Sequence, residues 1–211
     1  MLATVEHDQE DAVGSVVWLH GLGADGHDFE PLIPEIGLKL RYVFPHAPVR
    51  PVTLNGGLQM RAWFDLYSSI RDARVDEVGI AEARASVTAL IDREVERGMP
   101  AGKIVVAGFS QGGALALATG LAYPSPLAAI VSLSAWLPPA YANAAAAQIA
   151  TPIFIGHGAY DQVVSSSLGR ATHAALVARG CAAEWHEYPM EHQVAAKEIA
   201  DLRVFLTRVF A

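Results

Sequence analysis

Short stretches dense in apolar and β-branched residues recur along the chain, at 15–20, 41–44, 103–108, 128–134, 152–156 and 182–188. Stretches of this length and composition predict strands. Between them the polar and apolar positions follow the helical period. Residues 77–97 carry Ile80, Val87, Leu90, Ile91 and Val95 at helical spacing and stop at Gly98 and Pro100, which predicts an amphipathic helix. Residues 111–122 form a nearly uncharged helix candidate halted by Pro124. Residues 165–179 open on a capping serine and end at Gly180, and 195–209 close the chain.

Strands alternating with helices predict an α/β fold, a mostly parallel sheet with helices on both faces. In such sheets ligands bind beyond the carboxyl ends of the strands. The stretch 45–69 breaks the alternation. It holds Pro45, Pro48, Pro51, Gly56 and Gly57 together with Leu58, Met60, Trp63, Phe64 and Tyr67, and we expect a long loop there with a functional role. No internal repeat or linker stands out, and the low-complexity content is a short alanine run at 144–147.

Length and composition narrow the picture. A chain of 211 residues suits one domain spanning 1–211. Hydrophobic residues make up 52% and charged residues 18%, a globular composition. The net charge of −7 argues against nucleic acid as a partner. Residues 104–160 contain no Asp, Glu, Lys or Arg, yet Gly, Pro, Ser and Gln interrupt them every few positions, so no run reaches the ~20 apolar residues of a membrane span. The first residues, MLATVEHDQED, lack the pattern of a secretory signal, and a cytoplasmic location is expected. Cys181 is the single cysteine and reads as a small buried side chain.

Chemistry enters at Gly108-Phe-Ser-Gln-Gly112, a G-x-S-x-G sequence between a predicted strand and a predicted helix. That context makes it a nucleophile elbow of the α/β-hydrolase type, with Ser110 exposed at the sheet edge. A serine hydroxyl needs a base and an orienting carboxylate, expected here in the order Ser, acid, His. Of eight histidines, His173, His186 and His192 follow the elbow and the next strand unit. His173 falls in a helix and His186 in a strand, whereas His192 falls in the loop after the last strand. Asp161 follows a buried strand and a glycine turn, 51 residues after Ser110 and 31 before His192. Glu187 and Glu191 compete with it but flank His192 closely. For an oxyanion, the backbone N–H of Gln111 and that of Leu22, in His20-Gly-Leu-Gly23, are the candidate donors. The absence of G-x-G-x-x-G argues against a phosphate-binding turn there. His20, His27, His46 and His157 show no helix-spaced ligand pairs, so neither a metal nor a cofactor is expected.

With those residues the chain resembles the phospholipase/carboxylesterase family of small serine esterases, which includes acyl-protein thioesterases and bacterial carboxylesterases. The matching stretches run in order from His20-Gly-Leu-Gly-Ala-Asp25 through Pro45-His-Ala-Pro48, Asn55-Gly-Gly57, Trp63-Phe-Asp65 and the elbow to Leu133-Ser134, Leu137-Pro138, His157-Gly158, Asp161, Tyr188-Pro-Met190 and His192. The resemblance implies Ser110, Asp161 and His192 as a triad, Leu22 and Gln111 as oxyanion donors, and an acyl site bordered by the loop through Met60 and Trp63. Phe64 and Trp136 are further apolar candidates beside that site. Glu191 and Ser165 depart from the common pattern, Glu191 by setting a carboxylate next to the expected base. The short, alanine-rich stretch between the strands at 128–134 and 152–156, with Pro138-Pro139, predicts no large lid domain. The expected activity is hydrolysis of short-to-medium acyl carboxylic esters. An acyl-protein thioesterase or lysophospholipase on the same triad is the near alternative, and a hydrolase-fold binding protein without catalysis the remote one. The expected partners are accordingly a small ester, an acylated protein or a lysolipid. Apolar residues of the 45–69 stretch make a homodimer conceivable.

Overall fold

The computed structural model describes residues 2–67, 75–142 and 149–211. The alanine run at 144–147 and the last two residues of the 45–69 stretch lie outside them. Seven strands form the main sheet: β1 (Thr4–His7), β2 (Gly14–Leu19), β3 (Leu40–Pro45), β6 (Ile104–Phe109), β7 (Ala129–Leu133), β8 (Ile153–Gly158) and β9 (Ala183–Tyr188). Their spatial order is β1-β3-β2-β6-β7-β8-β9. Every pairing in this sheet is parallel except that of β1 with β3. β4 (Val49–Val52) and β5 (Leu58–Arg61) form a separate antiparallel hairpin.

The period of two along each strand sorts side chains to opposite faces. In β2, Val17 and Leu19 join the core with α2 (Glu77–Glu96), α3 (Gln111–Ala122) and α5 (Ser166–Ala178). Val16 and Trp18 face the other way, toward Leu202, Phe205 and Leu206 of α6 (Ala196–Phe210) and Ile36 of α1 (Ile33–Ile36). Helices cover both faces, as the alternation predicts, and the architecture is that of an α/β-hydrolase with no large lid among the described residues. A further one-turn helix, α4 (Pro139–Ala142), follows β7. α2 begins where Asp76 accepts the Gly79 N–H at 2.9 Å. The serine ahead of α5 is its N-cap, but its hydroxyl bonds Ser167 rather than a backbone N–H.

The expected loop at 45–69 proves to be folded. Val49 pairs with Arg61 and Val52 with Leu58. The hairpin turns through Gly56 and Gly57, both left-handed at φ 66° and 82°, a region open mainly to glycine. Asp65 accepts the Thr53 N–H at 2.8 Å and its hydroxyl at 2.6 Å, and Leu54 N–H donates to Leu66. Pro51, inside β4, is tolerated because a two-stranded hairpin has free edges, while Pro45 ends β3 and Pro48 precedes β4. Val49, Leu54 and Leu58 remain exposed on it.

Candidate active site

β6 is flanked by β2 and β7, and Ser110 follows directly from its last residue. Ser110 stands at φ 54° and ψ −119°, a conformation that a non-glycine residue adopts only at a steric penalty. The turn is held by the Ser110 N–H donating to Leu133 O at 2.9 Å. The flanking glycines follow from close packing. A Cβ on Gly108 would overlap the backbone of Gly112, and one on Gly112 would overlap the carbonyls of Leu19 and His20. The G-x-S-x-G spacing is therefore the condition for strand and helix to meet at this angle.

Two loops bring the partners. Asp161 lies beyond β8 and His192 beyond β9, and the loops are tied together by Ala159 N–H to Tyr188 O (2.8 Å) and Tyr160 N–H to Met190 O (3.0 Å). Asp161 Oδ1 accepts the N–H groups of Val163 (2.9 Å) and Val164 (2.8 Å), which fixes the carboxylate. Asp161 Oδ2 lies 2.7 Å from His192 Nδ1. Because a carboxylate only accepts, Nδ1 carries the proton and Nε2 is left as an acceptor. Nε2 is 2.9 Å from Ser110 Oγ. The imidazole packs on Phe109, ring centres 4.8 Å apart. A hydroxyl so placed can pass its proton to Nε2 as it attacks a carbonyl.

His157 lies beneath this chain. It is fully buried, its Nε2 donates to Val164 O at 2.8 Å, and Asp161 Oδ2 is 3.5 Å away. Burial lowers its pKa, so it stays neutral and braces the Asp161 loop. Glu191 is exposed and forms no ion pair among the described residues; its side chain does not join the histidine–aspartate pair. His186 packs on Phe154, and His173 approaches the Ala183 carbonyl.

Gln111 opens α3, so its N–H has no acceptor within the helix and sits at the positive end of the dipole. Across from it, Gly23 N–H is used by Arg61 O (2.9 Å) and Ala24 N–H by Gly21 O (3.3 Å), while among the described residues Leu22 N–H has no acceptor. Leu22, Ser110, Gln111 and His192 all line one cavity of about 370 Å³, whose apolar wall is built by Leu54, Leu66, Trp136 and Val163.

Three expected pocket residues stand elsewhere. Trp63 and Phe64 are each 1% exposed and belong to the core. Met60, on β5, is half-buried beside the Gly23 turn, where its sulfur takes the Asn55 amide at 3.3 Å; it does not line the cavity. Trp63 instead acts as a brace. Its indole N–H donates to His20 O at 2.8 Å, and its backbone N–H goes to the Gln111 side-chain oxygen at 2.8 Å. The Gln111 amide completes the clamp by donating to Phe64 O at 2.8 Å. His20 joins in: Nε2 accepts the Ala47 N–H at 3.1 Å, so Nδ1 is the donor to Gly21 O at 2.7 Å. Burial lowers the His20 pKa and keeps that neutral tautomer. The two loops carrying Leu22 and Gln111 are thus joined through Trp63. Trp136 does line the cavity as expected. Leu54 and Leu66 fall within the stretch that the sequence marked, while Val163, two residues after Asp161, was missed. Among the described residues no cluster of His, Cys, Asp or Glu is arranged to hold a metal ion.

Strand order, elbow and loops at the carboxyl ends of β6, β8 and β9 define an α/β-hydrolase. Within that class, residues 2–210 match the family model for phospholipase/carboxylesterase. An acyl-protein thioesterase 1 from Neurospora crassa is 34% identical over 92% of this chain and 85% of its own length. A rice protein (Oryza sativa subsp. japonica) described as a probable carboxylesterase is 37% identical over 90% of this chain and 76% of its own. Among solved structures, Zea mays acyl-protein thioesterase 2 superimposes with a TM-score of 0.85 at 29% identity, covering 100% of both chains. Arabidopsis thaliana SOBER1 gives 0.87 at 32% identity, over 94% of this chain and 99% of that one. The chain belongs to the phospholipase/carboxylesterase family of ester hydrolases. No helix among the described residues is long and apolar enough to cross a membrane.

Proposed function

We propose that this chain hydrolyses short-to-medium acyl carboxylic esters by way of an acyl-enzyme on Ser110. The observation that carries this reading is the unbroken hydrogen-bond chain from Asp161 through His192 to Ser110, opening on an apolar cavity. Ser110 Oγ attacks the ester carbonyl carbon while its proton passes to His192 Nε2. The carbonyl π electrons move onto oxygen, where the N–H groups of Leu22 and Gln111 receive the charge. Collapse breaks the bond to the leaving oxygen, which takes the proton from Nε2 and departs as the alcohol. Water then repeats the cycle: it adds to the acyl carbon, gives a proton to Nε2, and releases the acid as Ser110 regains that proton. Asp161 keeps its charge throughout and stabilises the imidazolium.

Leu54, Leu66, Trp136 and Val163 offer the acyl chain an apolar wall, and each methylene buried there contributes about 0.8 kcal/mol. The names of the Neurospora and maize relatives favour acyl thioesters as a second substrate class, processed by the same steps with a thiol leaving. The test is kcat/KM over acetyl, butyryl, octanoyl and palmitoyl esters and the matching thioesters. Rising rates to medium length, with p-nitrophenol released in a burst ahead of steady turnover, support the acyl-enzyme and its groove. A flat profile without a burst contradicts it.

A further inference from the structure

The cleft does not end at His192. Beyond the imidazole a second lobe of about 270 Å³ opens, bounded by Phe29, Leu32 and Val194. Asp28, Phe109 and His192 line both lobes and form the saddle between them. Acyl transfer makes the two lobes unequal. The proton on Nε2 has to reach the departing atom, so the leaving group lies on the histidine side while the acyl chain extends away from it. On the reading of Ser110 and His192 proposed above, the larger apolar lobe takes the acyl chain and the second lobe the leaving group.

The saddle between the lobes carries the one carboxylate of the lining, that of Asp28, which borders the second lobe as well as the first. Its backbone N–H is anchored to Asp25 O at 3.2 Å. Among the described residues its side chain has neither an ion-pair nor a hydrogen-bond partner, and no Lys or Arg lines either lobe. Neighbouring polar groups are otherwise engaged: His27 Nδ1 lies 2.5 Å from Glu30 Oε1, and Asp25 accepts the His27 N–H at 2.8 Å. Arg61 points to Ala47 O. Asp28 is exposed at the cleft, and partial desolvation first, then the like charge of Asp25, raise its pKa, the direction a cation beside it would reverse.

We propose that the second lobe is the leaving-group site and that Asp28 makes the enzyme favour esters and thioesters whose alcohol or thiol part carries a positive charge. The probes are butyrylcholine and 3,3-dimethylbutyl butyrate, its uncharged counterpart of equal shape, with 3-sulfopropyl butyrate as the anionic arm. Because intrinsic reactivity cancels when one ester pair is compared across variants, the readout is the cationic-to-neutral ratio of kcat/KM. Asp28→Asn and Asp28→Ser should each lower that ratio by about threefold to fivefold at low salt, the size of a partly exposed ion pair. They should raise relative use of the sulfonate ester. The difference should vanish near 1 M salt, where screening acts within about 3 Å. Asp28→Glu should hold the ratio, and so should Glu82→Gln, which removes one charge from an exposed position on α2. A ratio unmoved by both neutral variants, or moved equally by Glu82→Gln, overturns the proposal. Wild-type enzyme that hydrolyses neither butyrate and takes no fluorophosphonate label would instead overturn the hydrolase reading, and this proposal with it.

Discussion

Two buried glutamates, one toward each end of the sheet, meet opposite surroundings. Glu94 and Glu198 are both fully buried. Glu94, near the amino ends of the strands, receives Ser15 Oγ at 2.9 Å, Arg41 at 3.1 Å and Arg97 at 2.9 Å. Arg41 and Arg97 reach on to Asp8, and Arg97 also to Glu6, so the network staples β1, β2 and β3 to the end of α2. Glu198, in α6 behind β8, packs against Gly156 and makes no hydrogen bond of good geometry among the described residues. Burial pushes its carboxyl up to about 8, against a smaller pull from the Ala195 backbone. Depth alone does not set charge; donors do. The amino end turns its polar groups on each other, whereas the carboxyl end holds a strained serine, a histidine hydrogen-bonded to it, and Asp28, whose side chain has no partner among the described residues.

If stability and reactivity are divided in this way, substitutions at one end should leave the other's property intact. The largest effect belongs to Ser110→Ala, which should lower kcat/KM by roughly 10³-fold or more while Tm stays within a few degrees of wild type. Turnover of p-nitrophenyl butyrate and a thermal melt check both halves. Next, Glu94→Ala removes the buried carboxylate that Ser15, Arg41 and Arg97 share, leaving the two guanidinium groups only their more exposed Asp8 and Glu6 partners, and should remove about 3 kcal/mol of stability, a fall of roughly 6–12 °C in Tm at this chain length. The kcat/KM of the folded protein should hold, and a parallel loss in activity would break the division.

Glu198→Gln tests the other glutamate through pH. A carboxyl whose folded pKa is raised from 4.5 to about 8 contributes fully below the lower value and loses that contribution as pH climbs through the higher one. Glutamine keeps the protonated shape without the titration. The Tm advantage of Glu198→Gln over wild type should therefore grow between about pH 5 and pH 9, at roughly 2–4 °C per kcal/mol; a constant offset would show that Glu198 is ionised in place. The smallest effect is expected from Trp136→Ala, which should flatten the acyl-chain preference by about fourfold per methylene lost from contact. Met60→Ala should leave that preference unchanged, since its side chain stands outside the cavity.

Much of this was legible in the residues. The buried strands announced themselves as apolar runs, and glycines bracketed Ser110 because the backbone packs too tightly there for any Cβ. Loop position alone separated His192 from His173 and His186. The rest depended on direction and partners. β1 is a four-residue antiparallel edge strand whose Thr-Val-Glu-His sequence carries too little apolar signal to stand out. The β4–β5 hairpin was hidden by Pro51, which a hairpin edge accommodates. An aromatic residue next to a site can point in or out, and nothing local told that Trp63 turns its indole N–H to the His20 carbonyl. Leu54 and Leu66 meet only because Asp65 folds the hairpin back on Thr53. The fate of Glu94 and Glu198 was equally invisible, since both sit in helices of ordinary period and differ only in what lies opposite.

The central claim is that Ser110 is the nucleophile, and fluorophosphonate labelling read by intact mass and peptide mapping tests it most directly. The account predicts a single adduct on Ser110, absent in Ser110→Ala and slowed strongly in His192→Ala. An adduct on another residue, or wild-type protein that hydrolyses esters while remaining unlabelled, would contradict it.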